Sequence, residues 1–209
     1  MHILIYVHIL MKYTFSKNGV LLSDAIMREK KMMIEKTETC CSCSGSQKSK
    51  SVLVEYLYLD LQTCDRCIGT DQVLDEVMSE ITPVLALAGY EVDYQKIEMA
   101  SEEVARQYGF LSSPTIRVNG RDICMTVSEN SCGCCSDISG TDVDCRVFEF
   151  NGESFEVPPK EMLAEAVLQM IFQPAECACG GNEYRLPDNL KDFYEGKQKQ
   201  QCSCGGSCC

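Results

Sequence analysis

An apolar and aromatic run at 52–61 leads directly into Cys64-Asp65-Arg66-Cys67, and a helical pattern follows at once. This order constrains the fold more than any other feature of the chain. A nearly continuous apolar run of this length reads as a central strand buried on both faces. Val73, Leu74, Val77, Met78, Ile81 and Leu85 then fall on one helical face. Pro83 is expected to kink that helix without ending it, because apolar residues continue to Ala88, and Gly89 closes it. Tyr90, Val92 and Tyr94 alternate as a second strand. Strand, helix and strand in this order predict a right-handed crossover between two parallel strands.

Further on, Ser101 is an N-cap with Glu102 and Glu103 in the first turn of a short helix that ends at Gly109. Ser113-Pro114 precedes a short apolar run at 115–118, then Asn119-Gly120, then a run at 122–127. Asn-Gly between two apolar runs predicts a hairpin. A cysteine-rich loop is expected over 128–144, and a small added hairpin where 145–150 and 154–157 flank Asn151-Gly152. Pro158-Pro159 introduces a last amphipathic helix with Met162, Leu163, Ala166, Val167, Met170 and Ile171 on one face. From 173 onward the chain is polar and studded with cysteine, with one or two helical turns expected around Leu190. The fold class is α/β, a βαβ-ββα three-layer sandwich with a cysteine-rich loop insertion and flexible cysteine-rich tails.

The 209 residues suit one domain with tails: a leader and cysteine-rich arm at 1–51, a domain at 52–172 and a tail at 173–209. Apolar residues make up 45%, concentrated in the middle, enough for one core of about 120 residues. A formal net charge of −12 argues against nucleic acid and anionic lipid, which need clustered Lys and Arg. No apolar stretch reaches the ~18 residues that span a bilayer, so no membrane partner is expected. Residues 1–10 are apolar but lack a basic segment before them and a small-residue cleavage site after them. The sixteen cysteines come in crowded CC, CxC and CxxC groups, which suit ion binding or redox exchange better than loop-closing bridges. The expectation is a cytoplasmic, largely reduced protein. Translation is expected to begin at Met32 or Met33, leaving 1–31 untranslated; His2 and His8 both lie in that leader, which removes imidazole from the chemistry.

The stretch Tyr108-Gly109-Phe110, Ser113-Pro114-Thr115-Ile116 and Asn119-Gly120 resembles the thioredoxin superfamily around its cis-proline. The Cys64–Cys67 pair after the first central strand and Pro83 in the helix extend that resemblance across 52–172. It departs from the family in having no tryptophan before Cys64, in Asp65-Arg66 where Gly-Pro is usual, and in the 128–144 loop and the tails. The chain is also similar to a cysteine-rich thioredoxin-like group of unknown function from anaerobic microbes, often associated with arsenic-resistance neighbourhoods. The resemblance implies that Cys64 attacks, Cys67 resolves the mixed disulfide and Pro114 is cis beside them. It implies too that Cys64 lies at a helix N-terminus, where the dipole favours a thiolate; Thr70 and Asp71 are competing N-caps that would leave the pair in a loop. Arg66 should favour the thiolate and Asp65 oppose it.

In a thioredoxin-like sheet the loop leaving Val127 emerges at the dithiol end, which should bring Cys132, Cys134, Cys135, Cys124 and Cys145 within reach of Cys64 and Cys67. Two readings of these thiols stay open: a relay that passes a disulfide or a bound ion to the CxxC, which is preferred, and a structural thiolate site for zinc or an iron–sulfur cluster. The tails carry Cys40-Cys41-x-Cys43, Cys177-x-Cys179, Cys202-x-Cys204 and Cys208-Cys209. Adjacent cysteines form strained disulfides but chelate soft ions well, and arsenite, which takes three thiolates, is the natural candidate.

Three functions follow. In the first, the tails capture a metalloid or soft ion, and the CxxC and loop thiols bind, reduce or hand it on to a metalloid-handling protein. No resident cofactor is then required. The second is a general thiol–disulfide oxidoreductase serving a thiol redox partner. The third is a zinc or iron–sulfur module without catalysis. Removing 173–209 is expected to abolish ion capture under the first and to leave exchange intact under the second.

Overall fold

β1 (Lys50–Tyr58) is the axis of the fold, because side chains alternate across a strand and here both faces are covered. Val52, Val54 and Tyr56 enter one buried cluster, whereas Leu57, with Leu59 just beyond the strand, enters another. The computed structural model describes residues 50–124, 126–173 and 184–203, with side chains through 200. All of them belong to one compact unit, Lys48–Cys209.

β1 pairs in parallel with β2 (Tyr90–Glu98), Lys50 opposite Tyr90 and Tyr58 opposite Glu98. It pairs antiparallel with β3 (Thr115–Val118), Val54 opposite Val118 and Leu57 opposite Thr115. β4 (Arg121–Asp122) completes a four-stranded sheet in the order β2-β1-β3-β4. The β1–β2 crossover is α1 (Asp65–Leu87), which contains Pro83 without being ended by it. α2 (Glu102–Tyr108) starts as expected, with Ser101 Oγ accepting from Val104 N, and ends in left-handed Gly109. The Ser113–Pro114 peptide bond is cis. Asn119 and Gly120 both have positive φ (52° and 77°), the geometry that joins two strands with matching twist.

Three stretches differ from expectation. The strand anticipated over 122–127 stops at Asp122, whose carboxylate accepts from Cys124 N two residues on and turns the chain away. Both oxygens of that carboxylate are also held by the guanidinium of fully buried Arg146, at 3.0 and 2.7 Å. The stretch 128–144 is not a loop: it contains β5 (Ser128–Ser131) and α3 (Gly133–Ser139). β5 pairs with β6 (Asp144–Phe150), and β6 pairs with β7 (Glu153–Phe155) across the predicted Asn151-Gly152 turn, giving a second sheet, β5-β6-β7.

α4 (Lys160–Phe172) buries Met162, Leu163 and Val167 and packs on α1 and β3. α5 (Asp188–Ser203) is far longer than the one or two turns expected, and it packs on α3. The approach is close: a Cβ on Gly196 would lie 2.3 Å from Ser139 O. The described residues thus form a mixed α/β fold of two sheets and five helices. None of these helices is long and apolar enough to cross a membrane.

Candidate functional site

The first Cys-x-x-Cys motif is set by the turn between β1 and α1. Asp60 Oδ1 accepts from the backbone N–H groups of Gln62, Thr63 and Cys64 at 2.9, 2.5 and 3.2 Å. Cys64, with extended φ/ψ of −81° and 103°, is itself the N-cap of α1, and its carbonyl accepts from Ile68 N. Thr70 and Asp71 are therefore inside the helix rather than at its start. Cys67 is held one turn in: its carbonyl accepts from Tyr56 Oη at 2.7 Å and its Sγ lies 3.3 Å from Ser113 Oγ, next to the cis bond. Ser113 also accepts from Leu59 N through Oγ and from Arg146 N through its carbonyl. One serine thereby joins the end of β1, the dithiol and the second sheet.

A second motif of the same spacing faces the first. Cys132 caps α3 with φ/ψ of −121° and 102°, its carbonyl accepts from Ser136 N, and Cys135 follows at the same offset as Cys67 from Cys64. Cys145 arrives on β6, opposite Asn130. The Sγ atoms of Cys64, Cys132 and Cys135 all lie within 4.8 Å of one another. Cys64 is 4.0 Å from Cys132 and 3.7 Å from Cys135, and Cys145 is 3.4 Å from Cys135. All of these sulfurs, with Cys67, are buried, Cys132 the least so at 4% exposure.

The spacing suits an ion. A tetrahedral ion bound at about 2.3 Å from each sulfur separates the sulfurs by about 3.8 Å. The observed separations straddle that figure without bonding distance being reached. The donors are all sulfur, which selects soft cations over oxygen-seeking ones.

The thiols divide into acceptors and donors. Cys64 is held well below the ordinary thiol range, chiefly by the S–H of Cys132 and then by those of Cys135, Cys145 and Cys67. Cys132 is lowered to about 7, chiefly by Cys135 and then Cys145. The donating partners move the other way. Cys67 is raised by its hydrogen bond to Cys64 and by burial, Cys135 by Cys132 first, and Cys145 by Cys132 and Cys135. Cys64 and Cys132 are thus the thiols favoured as thiolates, whereas burial and hydrogen bonding hold Cys67, Cys135 and Cys145 protonated.

Arg66, expected to favour the thiolate, directs its guanidinium to the backbone of the second sheet and to Glu156. Its guanidinium donates to the carbonyls of Cys145 (2.8 Å), Arg146 and Ser131 (both 3.3 Å), and it pairs with Glu156 at 2.7 Å. The residue inside the first motif thus grips the backbone that carries Cys132 and Cys145. Asp65 faces Cys134 instead, at 3.9 Å. Cys134 and Cys124 stand outside the cluster and are half-buried; Cys124 lies beside Arg146 and Asp122, with its thiol pushed up by burial. Pro114 borders the site through Ser113. Cys40, Cys41, Cys43, Cys177, Cys179, Cys204, Cys208 and Cys209, and the side chain of Cys202, lie outside the described residues.

Two parts of the site escaped the sequence reading. The 132–135 spacing repeats 64–67, and Leu186, Leu190, Phe193 and Tyr194 recur at helical intervals. Those four residues are buried in the same cluster as the five thiols, and Tyr194 Oη donates to Met99 O at 2.8 Å. The polar majority of 188–203 hides this stripe.

Fold and site together define a mixed α/β protein with a buried cysteine group able to hold a metal ion. The chain belongs to the family described as domain of unknown function DUF2703, which matches residues 52–167. No curated protein and no solved structure matches it.

Proposed function

We propose that this is a thioredoxin-like protein that binds a soft, thiophilic ion at Cys64, Cys132 and Cys135, with Cys145 as an adjacent fourth thiol, and hands it on. The observation that carries this reading is the mutual approach of three buried sulfurs within 4.8 Å. The thioredoxin-like assignment draws support from the parallel β1–α1–β2 unit, the β2-β1-β3-β4 order and the cis Ser113–Pro114 bond placed against Cys67. A trivalent metalloid fits best as cargo. Arsenite would exchange its three hydroxyls for three sulfurs and release three waters, the protons coming from the remaining protonated thiols and from solvent, with no change of oxidation state. Zinc would need Cys145 as well, and Cys145 falls outside the mutually close trio.

The tail cysteines serve as a collecting arm that raises the local concentration of ion near the centre. A reducing, cytoplasmic setting keeps the thiols competent, and the recipient is a metalloid-handling or thiol redox partner. General exchange with protein disulfides is a weaker reading, because Cys64 and Cys67 are both 0% exposed.

The test is native mass spectrometry of the reduced, anaerobically purified full chain, with and without arsenite. One arsenic per chain is expected, lost in Cys132→Ala and Cys135→Ala (alanine leaves no buried hydroxyl unpaired). Uptake unchanged in both variants would overturn the reading.

A further inference from the structure

We propose that the two Cys-x-x-Cys motifs, Cys64–Cys67 and Cys132–Cys135, pass a disulfide directly to each other inside the protein. Two observations support it. One sulfur of the first motif, Cys64 Sγ, is in van der Waals contact range of both sulfurs of the second, at 3.7 Å from Cys135 and 4.0 Å from Cys132. Disulfide exchange needs a thiolate to approach one sulfur of an existing bond. Forming a bond of about 2.05 Å from these separations closes each sulfur pair by about 2 Å.

The second motif is also the better placed to receive oxidising equivalents. Cys132 is slightly exposed, and Cys134 between the two thiols is half-buried, whereas Cys64 and Cys67 are sealed.

A small external disulfide oxidises the second motif, giving the Cys132–Cys135 bond and two molecules of free small thiol. The Cys64 thiolate attacks Cys135 Sγ; the Cys64–Cys135 bond forms, the Cys132–Cys135 bond breaks, and Cys132 leaves as thiolate. Cys67 gives its proton to solvent and attacks Cys64 Sγ. The Cys64–Cys67 bond forms, the Cys64–Cys135 bond breaks, and Cys135 leaves with the negative charge. The disulfide has moved from one motif to the other with no net electron change after the first step.

This exchange rests on thiol geometry alone and does not require an ion to bind. It has a consequence for one that does. A disulfide in the second motif leaves one of the three ligand sulfurs free, and a disulfide in the first leaves two. Either oxidised form therefore releases a three-thiolate ion.

The experiment uses the full chain, reduced and free of metal, mixed with hydroxyethyl disulfide, quenched by alkylation at intervals and mapped by peptide mass spectrometry. In the wild type the Cys132–Cys135 bond is expected to appear first and to decay as Cys64–Cys67 rises. Cys67→Ala, which lacks the resolving thiol, is expected to accumulate the Cys64–Cys135 cross-link. Cys135→Ala, as a second variant, is expected to form Cys64–Cys67 at least tenfold more slowly than the wild type. The proposal is overturned if Cys64–Cys67 forms as fast in Cys135→Ala as in the wild type, or if folded Cys67→Ala yields no Cys64–Cys135 bond.

Discussion

β1 divides the interior into two cores of different composition. On one side Val52, Val54, Tyr56, Leu74, Val77, Met78, Ile116, Val118, Leu163 and Val167 form a cluster without a single cysteine. On the other, Leu57 and Leu59 meet Met99, Phe110, Phe193, Tyr194 and five thiols. The first core is a packing core, drawn from elements whose apolar residues repeat with strand or helix period. The second is assembled from short pieces of chain distant in sequence, and its sulfurs are in contact but unbonded. Stability should therefore be concentrated in the first core and chemistry in the second, with α5 belonging to both concerns because it covers the thiols.

The comparison can be broken at several points. The largest effect is expected from Phe193→Ala, which removes a fully buried ring from the thiol side at about 3–5 kcal/mol. If α5 is the cover, this variant also makes the five buried thiols react with iodoacetamide nearly as fast as Cys134, as read by peptide mapping. Slow labelling in a folded variant would mean that the insert alone shields them.

Leu163→Ala, on the opposite side, is expected to cost about 2–5 kcal/mol in chemical denaturation and to leave arsenic stoichiometry at one per chain. Cys135→Ala reverses the pattern: about 1 kcal/mol in stability, with ion uptake abolished. Equal stability losses in the two variants would dissolve the division between packing and chemistry. Smallest in stability is Arg66→Lys, which keeps the charge but loses the fork that reaches three carbonyls and Glu156. It is expected to weaken arsenite binding about tenfold while every sulfur remains in place. Unchanged affinity would make the Arg66 clamp irrelevant to ligand spacing.

The packing core was legible in the sequence because Val73, Leu74, Val77, Met78 and Ile81, and later Met162, Leu163 and Val167, repeat at helical intervals beside an apolar strand. Both Asn-Gly turns were legible for a local reason, the positive φ that each requires. The thiol core was only half legible. Topology placed the 128–144 segment near Cys64, but nothing local separates Cys135 and Cys145, which join the cluster, from Cys134 and Cys124, which do not. That choice depends on which way α3 and β6 face, and Arg66 and Ser113 fix both through backbone carbonyls and amides that carry no side-chain signature. The length of α5 beyond the expected turns around Leu190 was not legible because its apolar stripe is only Leu190, Phe193 and Tyr194 among charged and amide side chains, and tertiary contact with α3 supplies what its propensity lacks. The same helix alters a test the sequence suggested: deleting 173–209 would strip Leu186, Leu190, Phe193 and Tyr194 from the thiol core as well as removing tail thiols.

The most direct measurement therefore keeps the whole chain and replaces only the nine cysteines of the N-terminal arm and C-terminal tail, Cys40, Cys41, Cys43, Cys177, Cys179, Cys202, Cys204, Cys208 and Cys209, with serine. Arsenic stoichiometry of the reduced protein is then read by native mass spectrometry. One arsenic retained per chain, and lost on adding Cys132→Ala, is the result predicted for a buried centre that holds the ion. Complete loss of arsenic in the serine variant, with the fold intact, would contradict it and assign ion binding to the tails.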